Sequence, residues 1–192
     1  MFRYFIIYKP FRVLSQFTAT EGKLALKDII NVPADVYPVG RLDFDSEGLL
    51  LLTNDASINY RLLDPKHAHE REYWVQVEGL IQEPDIRRLE KGVIINIDGN
   101  NYKTKPCKGD IFMAPPPVPD RNPPIRFRKN IPTAWIKLIL TEGKNRQVRK
   151  MTAKAGFPTL RLIRYRIGGI TLDDMQPGDI KELNPNYFIT LL

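Results

Sequence analysis

Residues 39–55, VGRLDFDSEGLLLLTND, hold two patterns side by side. The second half, residues 48–53, is a nearly continuous apolar run of strand length, which reads as a strand buried in a sheet. The first half places Asp43, Asp45 and Glu47 at every second position, the spacing of one face of an extended segment. As a calcium loop, DFDSEG supplies oxygen ligands at positions 1, 3 and 5 and glycine at 6, but position 12 is Asn54 where a bidentate glutamate is needed. The buried run would also leave positions 7 and 9 turned from an ion. Turn shaping accounts for Asp45 and Glu47. Asp43 keeps different company: Arg41 lies two residues before it, with Leu42 between them pointing the other way. A cation and a carboxylate then share one face beside the mouth of a strand.

Outward from this stretch, residues 2–8 read as a strand stopped by Lys9-Pro10, residues 24–30 have helical spacing ended by Pro33, and residues 36–39 are extended. Asn54-Asp55 is a helix cap for a short helix that runs to Leu63, before Asp64-Pro65. Residues 72–78 alternate as a strand, Pro84 opens a helix over 85–91, and residues 93–97 and 101–104 form a hairpin around Asp98-Gly99. Six prolines in the ten residues 115–124 exclude a helix interior or a central strand and predict an extended surface loop between two lobes. Beyond it come a strand over 134–140, an N-cap at Asn145, a helix over 146–155 closed by Gly156, a basic strand over 160–167, and short strands at 170–172 and 180–183. Strands outnumber helices and short turns join them. The class is α+β with a mainly antiparallel, mixed sheet.

The 192 residues, 43% of them hydrophobic, suffice for a substantial core, and no apolar run reaches the roughly 20 residues of a membrane span. No targeting peptide is expected. The single Cys107 cannot form an internal disulfide, reads as a small, partly buried residue, and fits a reducing cytoplasm. The two histidines, His67 and His69, lack the partners of a metal site, so no metal is expected. The net charge of +7 is unevenly spread: residues 121–166 contain 13 Lys or Arg and one acid, Glu142, while the rest holds 16 basic and 21 acidic residues. Segregated positive charge suits a polyanion, with nucleic acid ahead of a membrane surface because no long basic amphipathic helix is present.

Within that basic third, EGKNRQVRKM (residues 142–151) places Val148, Met151, Thr152 and Ala155 on one helical stripe that can face a core. The adjacent stripe is Arg146, Arg149, Lys150 and Ala153, three of them cationic. Taken alone, this is either a solvated basic face or an anion-binding one. Lys144 and the positive end of the helix favour the second.

GRLD at 40–43 followed by GLLLLT, EYWVQVEG at 72–79, EGKNRQVRKM, YKP at 8–10 and FPTLRLIRYRIGGITL at 157–172 together resemble the RNA pseudouridine synthases, in the RsuA-type branch that modifies ribosomal RNA. Members of that branch often carry an N-terminal S4 RNA-binding domain. This chain begins at the catalytic domain, so the resemblance implies one catalytic domain over 1–192, two lobes with an active-site cleft between them, and no S4 domain. It also implies site-specific conversion of uridine to pseudouridine in ribosomal RNA, most nearly that of the large subunit, by a cytoplasmic monomer without cofactor. Asp43 corresponds to the catalytic aspartate, Tyr73 to the tyrosine that stacks on the target base and removes its C5 proton, and Arg149 to the basic residue that pairs with the aspartate. Arg41 corresponds to the arginine that enters the RNA stack when the base is flipped. The position of Arg146 is often histidine in relatives. Lys144, Arg146, Lys150, Arg161, Arg164 and Arg166 are the expected RNA contacts.

The reaction breaks N1–C1′ and forms C5–C1′ with no redox change and no group gained, so one ionised carboxylate suffices to start it. It can add to C6, attack C1′ or take a ribose proton. The target base must first leave its stack. The competing expectation from another class is a non-catalytic rRNA-binding or ribosome-assembly module.

Overall fold

The computed structural model describes residues 1–63, 68–125 and 130–191, and its elements begin with strands β1 (Tyr4–Lys9), β2 (Val13–Leu14) and β3 (Leu24–Ala25). A single 3-10 turn (Leu26–Asp28), strands β4 (Tyr37–Val39) and β5 (Glu47–Thr53) and helix α1 (Ala56–Leu63) follow. Next come β6 (Arg71–Glu78), α2 (Glu83–Glu90), β7 (Ile94–Ile97), β8 (Asn100–Lys103), β9 (Lys108–Ile111), β10 (Thr133–Leu140) and α3 (Gln147–Lys154). The chain closes with β11 (Thr159–Ile167), β12 (Ile170–Thr171), β13 (Ile180–Leu183) and α4 (Pro185–Thr190). Two units contain these elements, one of Met1–His69 with Ile163–Leu192 and one of Glu70–Leu162. Strand β11 passes from the second unit into the first.

The leucine run explains the first unit. All seven residues of β5 are buried, so both of its faces are covered and no polar alternation is called for. Burying Leu49, Leu50, Leu51 and Leu52, each at most 1% exposed, stabilises the fold by roughly 6–12 kcal/mol before entropy is counted. β1 pairs with it antiparallel from Tyr4↔Thr53 to Lys9↔Gly48, β4 pairs antiparallel with its last three residues, and β11 pairs in parallel at Ile163↔Glu47 and Arg164↔Gly48. β13 flanks β1, and Phe5, Ile7, Val36, Leu42, Leu50 and Leu52 are among the residues of the core cluster.

In the second unit the strand order is β11-β6-β10-β9. Alternating burial along β6 puts Tyr73, Val75 and Val77 into a core with Ile136 and Leu138 of β10 and Val148 and Met151 of α3. The β7–β8 hairpin turns at Asp98-Gly99, both at positive φ (49° and 89°), as a tight two-residue connection requires.

Four sequence expectations change. The helix over 24–30 is a short strand and one 3-10 turn: the Ala25 N–H donates to the Asp28 carboxylate, and Pro33 leaves too little chain for helical propagation. The proline loop does not divide two lobes. It lies inside the second unit and joins β9 to β10, which pair antiparallel at Ile136↔Ile111, because a lack of N–H groups says what the loop cannot be and not what it connects. Helix α3 begins one residue late, with Arg146 rather than Asn145 at the N-cap, in left-handed conformation (φ 53°). Strand β9 and helix α4 are additional; α4 is capped by Asn184, whose Oδ1 accepts from the N–H groups of Asn186 and Tyr187. Asp64-Pro65 and His67 lie outside the described residues.

Candidate active site

In the first unit, Asp43 opens a turn whose carbonyl accepts from the Ser46 N–H at 3.0 Å. Its predecessor Leu42 is buried and doubly tied to Ser15, whose hydroxyl donates to the Leu42 carbonyl at 2.8 Å and accepts from the Leu42 N–H at 3.0 Å. The main chain is therefore held on both sides of Asp43, while Arg41 is exposed and Asp43 is half-buried. The alternation about Leu42 takes the form its sequence predicts. After the turn comes Gly48, at φ 112°, where a Cβ would lie 2.4 Å from the Arg164 carbonyl oxygen. Glycine is required there on both counts, because backbone approaches backbone.

The three alternating carboxylates have unequal surroundings. Asp43 and Asp45 are half-buried and Glu47, the first residue of β5, is 2% exposed. Among the described residues no three His, Cys, Asp or Glu side chains gather as a metal site. What Asp43, Asp45 and Glu47 share instead is Lys9, whose side chain is fully buried and whose Nζ donates to the carbonyls of Pro10 and Val13, each at 2.8 Å. Burial pushes the Lys9 ammonium down to about 7, against the opposing pull of Glu47, Asp45 and Asp43 and with the repulsion of Arg164.

In the second unit, α3 and its C-cap Ala155 bury Val148, Met151, Thr152 and Ala155 itself, leaving Arg146 exposed and Arg149 and Lys150 half-buried on the adjacent stripe. Thr152 Oγ1 donates to the Arg149 carbonyl at 3.2 Å and meets Thr159 Oγ1 at 2.7 Å, fixing the helix turn that carries Arg149. Tyr73 is 9% exposed, at the margin of an apolar cluster in which Val75 and Val77 are fully buried.

The residue missing from the sequence expectation is Glu142. It is 7% exposed and accepts from the Tyr102 hydroxyl (2.5 Å), the Lys105 N–H (2.9 Å) and Gln147 Nε2 (2.5 Å). Gln147 in turn accepts from the Lys144 N–H at 2.9 Å. Drawing Gln147 inward starts α3 at that residue and leaves Lys144, Asn145 and Arg146 exposed. The hydrogen bond to Glu142 and burial raise the Tyr102 phenol to about 12, and the Lys144 ammonium sits 5.1 Å from the Tyr102 ring centroid. The signal was available: Glu142 is the one acid among residues 121–166.

Several arginines in that basic third do not face solvent as separate cations. Arg161 and Arg164 are 5% and 6% exposed, because residues 161–164 of β11 are buried on both faces. Arg164 Nε donates to the Leu49 carbonyl at 2.8 Å, and the half-buried Arg166 donates to the Gly168 carbonyl at 2.7 Å. Arg121 donates to the carbonyls of Pro123 (2.9 Å) and Pro124 (3.1 Å), tying the proline loop to itself. No helix among the described residues is long and apolar enough to cross a membrane.

The sequence model described as RNA pseudouridylate synthase matches residues 3–154. A "Ribosomal large subunit pseudouridine synthase E" of Vibrio parahaemolyticus is 52% identical over 178 residues, covering 93% of this chain and 72% of that protein. The protein of the same name from Xanthomonas axonopodis pv. citri is 47% identical over 174 residues, covering 90% and 89%. Among solved structures, one described as "Crystal structure of pseudouridylate synthase" matches with a TM-score of 0.80 at 24% identity, over 100% of this chain and 74% of that one. At that identity the likeness shows the fold.

Proposed function

The chain belongs to the RNA pseudouridylate synthase family, and we propose that it isomerises a uridine of large-subunit ribosomal RNA to pseudouridine, as a cytoplasmic, monomeric enzyme. Asp43 is the reacting carboxylate in this reading. The observation that carries it is the fixation of the main chain around Asp43: the Ser15 clamp on Leu42 before it and the closed turn to Ser46 after it. Preorganised geometry of this kind is what a carboxylate needs to meet a flipped base without first ordering its own loop.

The other roles follow from the family motifs. Arg149 takes the role of the family's basic residue, Tyr73 that of the tyrosine that stacks on the base and takes its C5 proton, and Arg41 that of the arginine that enters the stack vacated by the uridine. Exposed Lys144 and Arg146 and half-buried Lys150 meet phosphates; Arg161, Arg164 and Arg166 serve the RNA surface through the backbone they hold. Electron flow needs no external oxidant or reductant. The N1–C1′ bond is exchanged for C5–C1′, N1 gains a proton, and the C5 proton leaves to solvent.

Release of tritium from [5-³H]uridine-labelled ribosomal RNA measures that last step. The wild-type chain is expected to release it, and Asp43→Asn is expected to lose activity by on the order of 10³-fold or more while RNA affinity stays within a few-fold. Retained turnover in Asp43→Asn would overturn the assignment of Asp43. A wild type that binds the RNA but releases no tritium would favour a non-catalytic binding module.

A further inference from the structure

Residues 121–166 carry the positive excess of the chain, and the remainder is net acidic. Even so, three exposed cations of the first unit, Arg12, Lys23 and Arg41, come from separate segments to the neighbourhood of one turn. The Arg12 N–H donates to the carbonyl of Phe44, the residue after Asp43, at 2.8 Å. The Lys23 ammonium lies 5.3 Å from the Phe44 ring centroid, and the Arg12 guanidinium lies 5.5 Å from that of Phe11. Lys23 is itself fixed by its N–H to the Thr20 carbonyl at 2.9 Å. Both phenylalanines are half-buried. Arg12 holds φ 60°, a conformation that a side chain such as arginine adopts only when its surroundings impose it.

Two aromatic rings, each with a cation over its face, therefore lie on the two segments that the Arg12–Phe44 main-chain bond joins, and one of them, Phe44, follows the residue assigned to catalysis. A cation over a ring at an exposed site is a weaker contact than a base stacked on that ring. An incoming base can take the ring face, and the displaced cation remains on a flexible stem beside the phosphate that follows. The ligand that engages both rings and cations brings a stacking ring together with its phosphate. We propose that Phe11, Arg12, Lys23 and Phe44 form a subsite for single-stranded RNA that holds the nucleotides flanking the target uridine, by stacking on the rings and by phosphate contact with Arg12 and Lys23. The proposal rests on the reading of the chain as an RNA uridine isomerase.

The test uses the full chain and a transcribed ribosomal RNA fragment, with tritium release for turnover and fluorescence anisotropy for affinity. Phe44→Leu, which keeps apolar bulk without a ring, is expected to raise KM and Kd about 10-fold with kcat within about two-fold, and Phe44→Trp to restore both. The double variant Arg12→Gln, Lys23→Gln is expected to lower the magnitude of the slope of log affinity against log salt by about 1.4, from two single-strand phosphate contacts. Wild-type KM, Kd and salt slope in these variants would overturn the subsite, as would a Phe44→Trp chain no better than Phe44→Leu. An inactive wild type would sink the isomerase reading, while the ratio of Kd values would still decide the subsite.

Discussion

The Asp43 turn of the first unit and the 142–147 loop of the second both display charged side chains, yet they are held by different means. Around Asp43 the restraint is main chain: the Leu42 backbone clamped by one serine hydroxyl, a closed turn, and a glycine where β11 comes within contact. In the loop it is a side chain: one buried carboxylate takes donors from a hairpin tyrosine, a backbone amide and a glutamine on the helix. A main-chain clamp fixes the position of a single group closely. A carboxylate hub fixes a whole loop, and it offsets part of the positive charge that the loop collects.

That contrast can be broken at either end, and the largest effect is expected at Gly48. Gly48→Ala places a Cβ 2.4 Å from the Arg164 carbonyl oxygen at φ 112°, which should cost about 4 kcal/mol from strain and overpacking together. Urea unfolding measures it, and a loss under about 1 kcal/mol would mean that the two strands part easily. Glu142→Ala comes next. It leaves the Tyr102 hydroxyl, the Lys105 amide and the Gln147 amide without their acceptor and should cost about 3 kcal/mol. It should also weaken RNA binding, with the Tyr102 phenol returning from about 12 toward the ordinary tyrosine value. Weakened stability with unchanged RNA affinity would restrict the hub to folding.

The smallest effect is a pH dependence. The folded state lowers Lys9 from 10.5 to about 7, so between those values the unfolded chain holds a proton that the folded chain has released. Stability from this group therefore rises with pH through that window, and its penalty is fully present below it. Relative to Lys9→Met, which cannot titrate, the wild type should gain about 2 kcal/mol between pH 7 and pH 9 in urea unfolding. Parallel curves for the two proteins would show that Lys9 stays charged within the fold.

How much of this was legible in sequence differs by kind of signal. The run GLLLLT needed no tertiary information, because four consecutive leucines can be satisfied only with both faces covered. The alternation of Tyr73, Val75 and Val77 and the Asp98-Gly99 turn were equally local. The helix over 24–30 failed because a short apolar spacing cannot say whether enough chain remains to propagate it. The N-cap at Asn145 failed because a contact from Glu142 moved the helix start to Gln147. In the site, Asp43 stood out by its neighbours. Glu142 was visible as a lone acid yet uninterpretable without knowing what it touches.

The sequence by itself determined the sheet-rich class, the buried central strand, the apolar stripe of α3 and the segregation of charge, since all of these follow from periodicity and composition along one segment. Only the tertiary structure decided which charges are available. Arg161 and Arg164 are buried, Arg121 is engaged by proline carbonyls, Lys9 is held where burial lowers its pKa to about 7, and Glu142 becomes the hub of the basic loop. The physical reason is that a charge's effect depends on its solvent and on partners distant in the chain, and neither is a property of local sequence.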